Sequence, residues 1–302
     1  VPQSSLPFSL RQLQYFVAVA EFRSFRRAAE SCHVSQPSLS AQIAELEKGL
    51  GVSLFERNSR RVILTAVGEA LLPRTRAVLV AAADLRETAR RHVDPFSGTL
   101  RIGVIPTIGP YLLPRIVPRL LQAFPALALH WVEDKTETLV RKIQQGEMDA
   151  AILALEADLE SLEHEVLTRD EFVLATPASH HLGQAEGPAR LGELSGEKVL
   201  LLDEGHCFRE QALAVCSSAR IEELGFRATS LSTLVQMVSA GAGITLLPKL
   251  SVETEVGRSD LSIREFASPR PSRTVVLAWR RKSALEPALN KIAATIRDEI
   301  SG

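Results

Sequence analysis

Apolar positions in the first third of the chain recur at helical spacing. Leu10, Leu13, Phe16, Val17 and Ala20 lie on one face of a segment that Ser9 is placed to cap, which predicts an amphipathic helix. Ser24 to Glu30 predicts a second, short helix, followed by a turn at Cys32-His33-Val34. A third helix opens at Ser35-Gln36-Pro37-Ser38, with Ser35 as its cap and Pro37 in its first turn. The chain turns again at Gly49 to Gly51. Two short apolar runs then flank Arg57-Asn58-Ser59-Arg60, as in a β-hairpin. From Gly68 to His92, Leu71, Leu72, Val78, Leu79, Ala82, Leu85 and Ala89 come close to heptad spacing. So narrow a stripe on so long a helix calls for a partner helix, with packing on its own domain as the alternative. Asp94-Pro95-Phe96-Ser97-Gly98 ends it.

Beyond Gly98 the period changes. Strand-like Thr99 to Val104, Leu127 to Val132 and Asp149 to Leu153 alternate with helical Leu112 to Phe124 and Thr136 to Gln145, which predicts an α/β subdomain with a parallel sheet. Phe172 to Ala175 opens a second subdomain containing Val199 to Leu202, a helix from Phe208 to Arg220, and Leu231 to Ala240. Thr274 to Trp279 and the helix Leu285 to Glu299 return to the first. The expected organisation is a domain over 1–66, a linker helix over 67–93 and a two-lobed domain over 98–302. Its first subdomain takes about 98–170 plus 274–302, and its second about 171–273.

A short helix, a tight turn and a helix beginning with Ser, Gln and Ser form the pattern of a helix-turn-helix, whose second helix presents its N-terminal side chains to base edges. Gln36, Ser38, Ser40 and Gln42 all carry groups that donate and accept there. Arg57, Arg60 and Arg61 in the hairpin suit phosphate contacts. Charge agrees with this division. Residues 1–92 hold 13 Lys and Arg against 8 Asp and Glu, whereas residues 93–302 hold 22 against 28, so only the first part is drawn to an anionic partner.

With 302 residues, 45% hydrophobic and 24% charged, the chain has an ordinary globular composition. Three cysteines are too few for a secreted disulfide framework, and no CxxC or His/Cys cluster has zinc spacing, so neither metal nor cofactor is expected. No apolar run approaches a membrane span and no signal-peptide pattern opens the chain, so the expected location is the cytoplasm.

Cys207 and Cys216 stand nine residues apart. Cys207 lies between His206 and Arg209, an electropositive setting of the kind that lowers a thiol pKa, while Cys216 sits in an apolar run. This asymmetry fits an attacking sulfur and a resolving one. If the segment is helical, nine residues span about 13 Å, and a disulfide needs Cα atoms about 4.4 to 6.8 Å apart. Bonding would then require the helix to unwind. The same spacing also suits two unrelated cysteines. Cys32, in the turn, reads as a small packing residue.

The ordered set Phe16, Ser24-Phe25, Ala28-Ala29, Val34 to Ser40, Ile43, Leu46-Glu47, Leu50-Gly51, Leu54 to Arg57 and Leu64-Thr65 closely resembles the winged helix of the LysR-type transcriptional regulators. Arg26-Arg27 departs from the family's usual small or polar residues. Ile105 to Pro114, Gly205 to Ala212, Cys216, Phe226 to Leu231 and Gly241 to Pro248 resemble the hydrogen-peroxide-sensing members of that family. The resemblance covers essentially the whole chain. It implies a winged helix-turn-helix, a long linker helix and a periplasmic-binding-protein-like α/β effector domain of two subdomains. It further implies a peroxidatic Cys207, a resolving Cys216, and a peroxide pocket in which Thr107, Thr136, His206, Arg209 and Arg280 are the matching polar positions. The partners it implies are operator DNA, hydrogen peroxide, further copies of the chain (a dimer through the linker helix, then a tetramer), RNA polymerase, and a glutaredoxin or thioredoxin reductant.

Three functions fit these residues. The leading one is a peroxide-responsive transcription regulator. The second is a LysR-type regulator of a small carboxylate with incidental cysteines. The third is a thiol peroxidase, which would have no need of a DNA-binding domain.

Overall fold

The computed structural model describes residues 6–56, 62–91, 96–157, 159, 162–216, 221–257 and 260–301. The chain divides near Arg90 into two compact units.

The first unit opens with α1 (Leu10–Phe22), α2 (Phe25–Ser31) and α3 (Gln36–Leu50). Each is capped by a serine, as expected for Ser9 and Ser35; Ser24 adds a third cap. The side chains of Ser9, Ser24 and Ser35 accept from the backbone N–H of Gln12, Arg27 and Ser38. Such caps stabilise a helix by about 1 kcal/mol each. The turn between α2 and α3 passes through His33 in the left-handed region, φ 56°. Phe16, Val19, Ala28, Leu39 and Leu46 form the buried core, with Cys32 partly buried against it. Glu47 ties the following segment to α3 by accepting from the backbone N–H of Leu54 at 2.6 Å. An antiparallel bridge between Phe55 and Leu64 begins the wing; Arg57, Arg60 and Arg61 lie outside the described residues. The stripe on α4 (Ala66–Arg91) divides: Leu71, Leu72 and Leu79 pack on the winged-helix core, while Val78 and Leu85 are exposed.

The second unit contains β1 (Gly98–Val104), α5 (Gly109–Ala123), β2 (Leu127–Glu133), α6 (Thr136–Gln144), β3 (Ala150–Ala154) and β4 (Glu163–Pro177). Next come α7 (His181–Gln184), β5 (Lys198–Leu202), α8 (Cys207–Cys216), β6 (Glu222–Ala228), α9 (Leu231–Ser239) and β7 (Thr245–Pro248). It closes with α10 (Lys249–Val256), β8 (Leu261–Glu265), β9 (Ser272–Trp279) and α11 (Glu286–Ser301). Two buried clusters define two lobes, one around β1, β3 and α11, the other around β5, α8 and α9.

The parallel sheet expected of the first lobe is only half of what forms. β1 pairs parallel with β2 and β3, but β9 runs antiparallel to both β3 and β4, giving a mixed order β2-β1-β3-β9-β4-β7 with β8 also on β4. The second lobe was expected to start at Phe172, yet its strand begins at Glu163. Within residues 163–170 only Leu167 and Asp170 are buried, so they lack the continuous apolar run that reveals a buried strand. β4 and β9 therefore cross from one lobe to the other side by side, paired from Glu163–Trp279 to Glu171–Ser272 with a shift of register between Val166 and Thr168. No described helix is long and apolar enough to cross a membrane.

Candidate functional site

Strand β5 delivers the chain to a turn at Asp203 to Gly205, where Gly205 takes φ 83°, a left-handed backbone that strains any residue with a Cβ. The backbone N–H of Arg209 bonds the His206 carbonyl at 2.9 Å. Cys207 thus becomes the first residue of α8. Phe208 anchors that end of the helix: it is fully buried and meets Phe172 of β4 edge to face, ring centres 5.1 Å apart.

Arg273, on the crossing strand β9, is wholly buried at 0% exposure and lies over the Phe208 ring, 5.6 Å from its centre. Its guanidinium is held on both sides. Nε and Nη2 each approach Asp170 Oδ2 at 2.9 Å; Nη1 donates to Thr107 Oγ1 at 2.8 Å and Nη2 to the Thr107 carbonyl at 2.9 Å. Asp170 in turn accepts from the backbone N–H of Leu250 at the start of α10. One buried ion pair therefore joins the loop after β1, both crossing strands and a helix of the second lobe.

Thr107, Thr136, His206 and Cys207 line one tight, closed crevice with Ile105, Pro106, Lys135 and Gly205. Cys207 and Thr136 also border an open cleft between the lobes, edged by Glu137, Arg141, Glu156 and Glu210. Thr136 Oγ1 is buried and makes no well-formed hydrogen bond of its own, although it lies beside the Cys207 thiol and draws the thiol pKa down. Thr107 Oγ1, accepting from Arg273, keeps its proton free to donate. The threonines and the thiol thus lie together around one crevice, the grouping that the resemblance implies.

The electrostatics differ from the sequence reading. Burial pushes the Cys207 thiol pKa above its ordinary value, against the downward pull of Thr136, of Arg273 and of the Phe208 N–H, with Glu210 adding a smaller upward push. The cation that acts on the sulfur is Arg273, not its sequence neighbours. Burial and then the Lys135 ammonium push the His206 pKa down, favouring a neutral imidazole. Lys135 also reaches across to the Glu204 carbonyl at 2.6 Å, bonding α6 to the turn before Cys207.

Two expected pocket residues are not there. Arg209 is two positions beyond Cys207, about 200° around a helix, and its guanidinium turns away to the Leu202 carbonyl at 3.2 Å and to Glu223 at 2.7 Å. It fastens α8 to β5 and β6. Arg280 follows the far end of β9. It stands seven positions from Arg273, about 23 Å along an extended strand; neither lines the crevice, and it is Arg273 that reaches its wall by bonding Thr107. An arginine at the head of the otherwise apolar run Thr274 to Trp279 was the sequence signal for it. Asp170 and Lys135 gave none.

Cys216 ends α8, buried at 1% exposure, and burial raises its pKa to about 11. All three cysteines are free thiols. With the two sulfurs at opposite ends of a ten-residue helix, they are a helix length apart, beyond bonding range. Between them, Gln211 has both amide atoms buried without a hydrogen-bond partner; each such group costs about 1–3 kcal/mol. This helix is less stable than its length implies.

In the first unit, Gln36, Pro37 and Ser38 are exposed on the first turn of α3, while Ser40 and Gln42 are half-buried.

Comparison with known proteins agrees with both units. The lysR-family bacterial regulatory helix-turn-helix profile matches residues 10–69, and the LysR substrate binding domain matches residues 94–301. A hydrogen peroxide-inducible genes activator of Pectobacterium carotovorum subsp. carotovorum is 44% identical over 97% of this chain and 97% of its own length. The chain belongs to the OxyR family of LysR-type transcriptional regulators. A substituted full-length OxyR from Pseudomonas aeruginosa superposes with TM-score 0.78 at 36% identity, covering 96% of this chain and 95% of that one. A substituted OxyR from Corynebacterium glutamicum, solved with H2O2 bound, gives TM-score 0.67 at 32% identity, covering 99% of this chain and 94% of that one. As a member of the OxyR family the chain is a DNA-binding, peroxide-responsive transcriptional regulator.

Proposed function

We propose that Cys207 is the sulfur oxidised by hydrogen peroxide and Cys216 the sulfur that resolves it. The single observation carrying this reading is the crevice itself: a thiol at a helix N-terminus beside two threonine hydroxyls, with a buried arginine behind. The Cys207 thiolate attacks one peroxide oxygen; the O–O bond breaks, leaving sulfenic acid on Cys207 and hydroxide. Thr107 and Thr136 supply donors that hold the peroxide in line and stabilise the departing oxygen. The Cys216 thiol then displaces water from the sulfenic acid, and the S–S bond forms. Because the folded helix holds the sulfurs apart, that second step requires α8 to unwind.

The readout runs through the winged helix. Gln36, Ser38 and Gln42, with Ser40 and Pro37 beside them, read base edges of an operator, and Arg57, Arg60 and Arg61 bind phosphate. The exposed Val78 and Leu85 of α4 support dimerisation through that helix, with a tetramer as the full assembly. RNA polymerase and a glutaredoxin or thioredoxin reductant complete the cycle, in the cytoplasm. The disulfide is a signal in this reading, not a turnover intermediate.

Cysteine substitution tests it. DNA footprints of the wild-type chain shift fully with peroxide, those of Cys207→Ser do not shift, and those of Cys216→Ser shift partly while Cys207 advances to sulfinic acid. Wild-type behaviour in both variants returns the reading to a small-molecule regulator with incidental cysteines.

A further inference from the structure

On the second lobe, away from the cysteines in sequence, two adjacent histidines and a glutamate converge. β4 ends at Pro177, and the chain turns so that His180 caps the short helix α7, which His181 begins. Glu197 lies immediately before β5. One ligand atom from each of the three lies within 4.8 Å of the others. His180 Nε2 is 3.3 Å from one Glu197 carboxylate oxygen, and His181 Nε2 is 3.3 Å from the other. The two rings stand 4.6 Å apart, tilted by 31°. His180 and Glu197 are mostly buried, at 22% and 18% side-chain exposure, while His181 closes the cluster from the solvent side at 71%.

These separations are informative. A charge-assisted N–H···O bond settles at about 2.7–2.9 Å, so both contacts are loose. Zinc bonds nitrogen and carboxylate oxygen at about 2.0–2.2 Å, which sets two ligands of a tetrahedral ion about 3.4 Å apart. Each imidazole nitrogen lies at that spacing from a different oxygen of the one carboxylate, which leaves room for an ion held by both rings and by Glu197. We propose that His180, His181 and Glu197 form a binding site for a borderline divalent transition ion, Zn²⁺ in the first instance, with solvent as the fourth ligand. Two imidazoles and one carboxylate are a donor set that zinc accepts and that magnesium and calcium do not favour.

His180 Nδ1 accepts from the Leu182 N–H at 3.3 Å, so in the unloaded site its proton is on Nε2. Loading moves that proton to Nδ1 and gives up this weak contact. In exchange the ion joins the exit of β4 to the start of β5, the strand that carries the turn before Cys207. Sequence patterning missed the site because Glu197 is sixteen residues from the nearer histidine.

The test is a Zn²⁺ titration of the full-length reduced chain against a chromophoric chelator, repeated with His181→Ala and Glu197→Gln. His181 is exposed, so its substitution leaves the fold intact, which circular dichroism verifies. The expected result is one tightly held equivalent in wild type and a loss of affinity of about tenfold or more, about 1.4 kcal/mol, in each variant. Co²⁺ loaded in place of zinc then gives visible d–d bands without a thiolate charge-transfer band. Equal affinity in all three proteins, or a cobalt spectrum dominated by thiolate charge transfer, overturns the assignment.

Discussion

Arg273 and Thr107, 166 positions apart in the chain, are joined by two hydrogen bonds of 2.8 and 2.9 Å inside the protein. The first orients the threonine hydroxyl that faces Cys207; the second fixes the loop carrying it. Thr107→Val leaves a buried Nη1 donor without a partner, so it should lower stability by about 1–3 kcal/mol. If the hydroxyl also positions peroxide, losing about 1.4 kcal/mol there slows oxidation tenfold. Urea unfolding and stopped-flow oxidation rates separate these effects. Arg273→Met goes further, stranding the Asp170 carboxylate in the interior at a cost of about 3–5 kcal/mol.

Two neighbours of Cys207 should move its reactivity in opposite directions. Thr136 pulls the thiol pKa down and Glu210 pushes it up. Thr136→Val should therefore raise the pKa and slow alkylation at fixed pH, and Glu210→Gln should lower the pKa and hasten it. Thiolate absorbance and iodoacetamide kinetics across pH 6 to 10 read both. Shifts of the same sign would show that the charges around the sulfur are misassigned.

Cys216 gives a pH signature of the reduced fold. Burial raises its pKa from 9.0 to about 11, so the folded state holds its proton more tightly than the unfolded chain does. The associated stability is present below pH 9 and is lost as pH rises toward 11. Cys216→Ala removes this linkage. The difference in melting temperature between wild type and variant should narrow between pH 8.5 and 11, and a constant difference over that range would contradict burial of the thiol.

What the sequence makes legible and what it hides follow from range. The serine caps of α1, α2 and α3 and the glycine turn before Cys207 are local, and each residue type states its own role. The crevice threonines were placed by resemblance, and the fold brings them together. Arg273 escaped because its partners Thr107 and Asp170 lie on other elements: its place at the head of an apolar run is visible locally, but what it binds is not. Arg209 misled for the converse reason: its nearness to Cys207 in sequence is opposition across the helix. Of the two crossing strands, β9 was legible from Thr274 to Trp279, whereas the first half of β4 was hidden by a half-buried, polar stretch that resembles a loop.

The central claim is that α8 must open for Cys207 to reach Cys216. Stoichiometric peroxide followed by amide hydrogen exchange with peptide mass mapping tests it directly. The account predicts a peptide bridged between Cys207 and Cys216, together with loss of exchange protection from Phe208 to Val215. A bridged peptide with protection over that helix unchanged would contradict it.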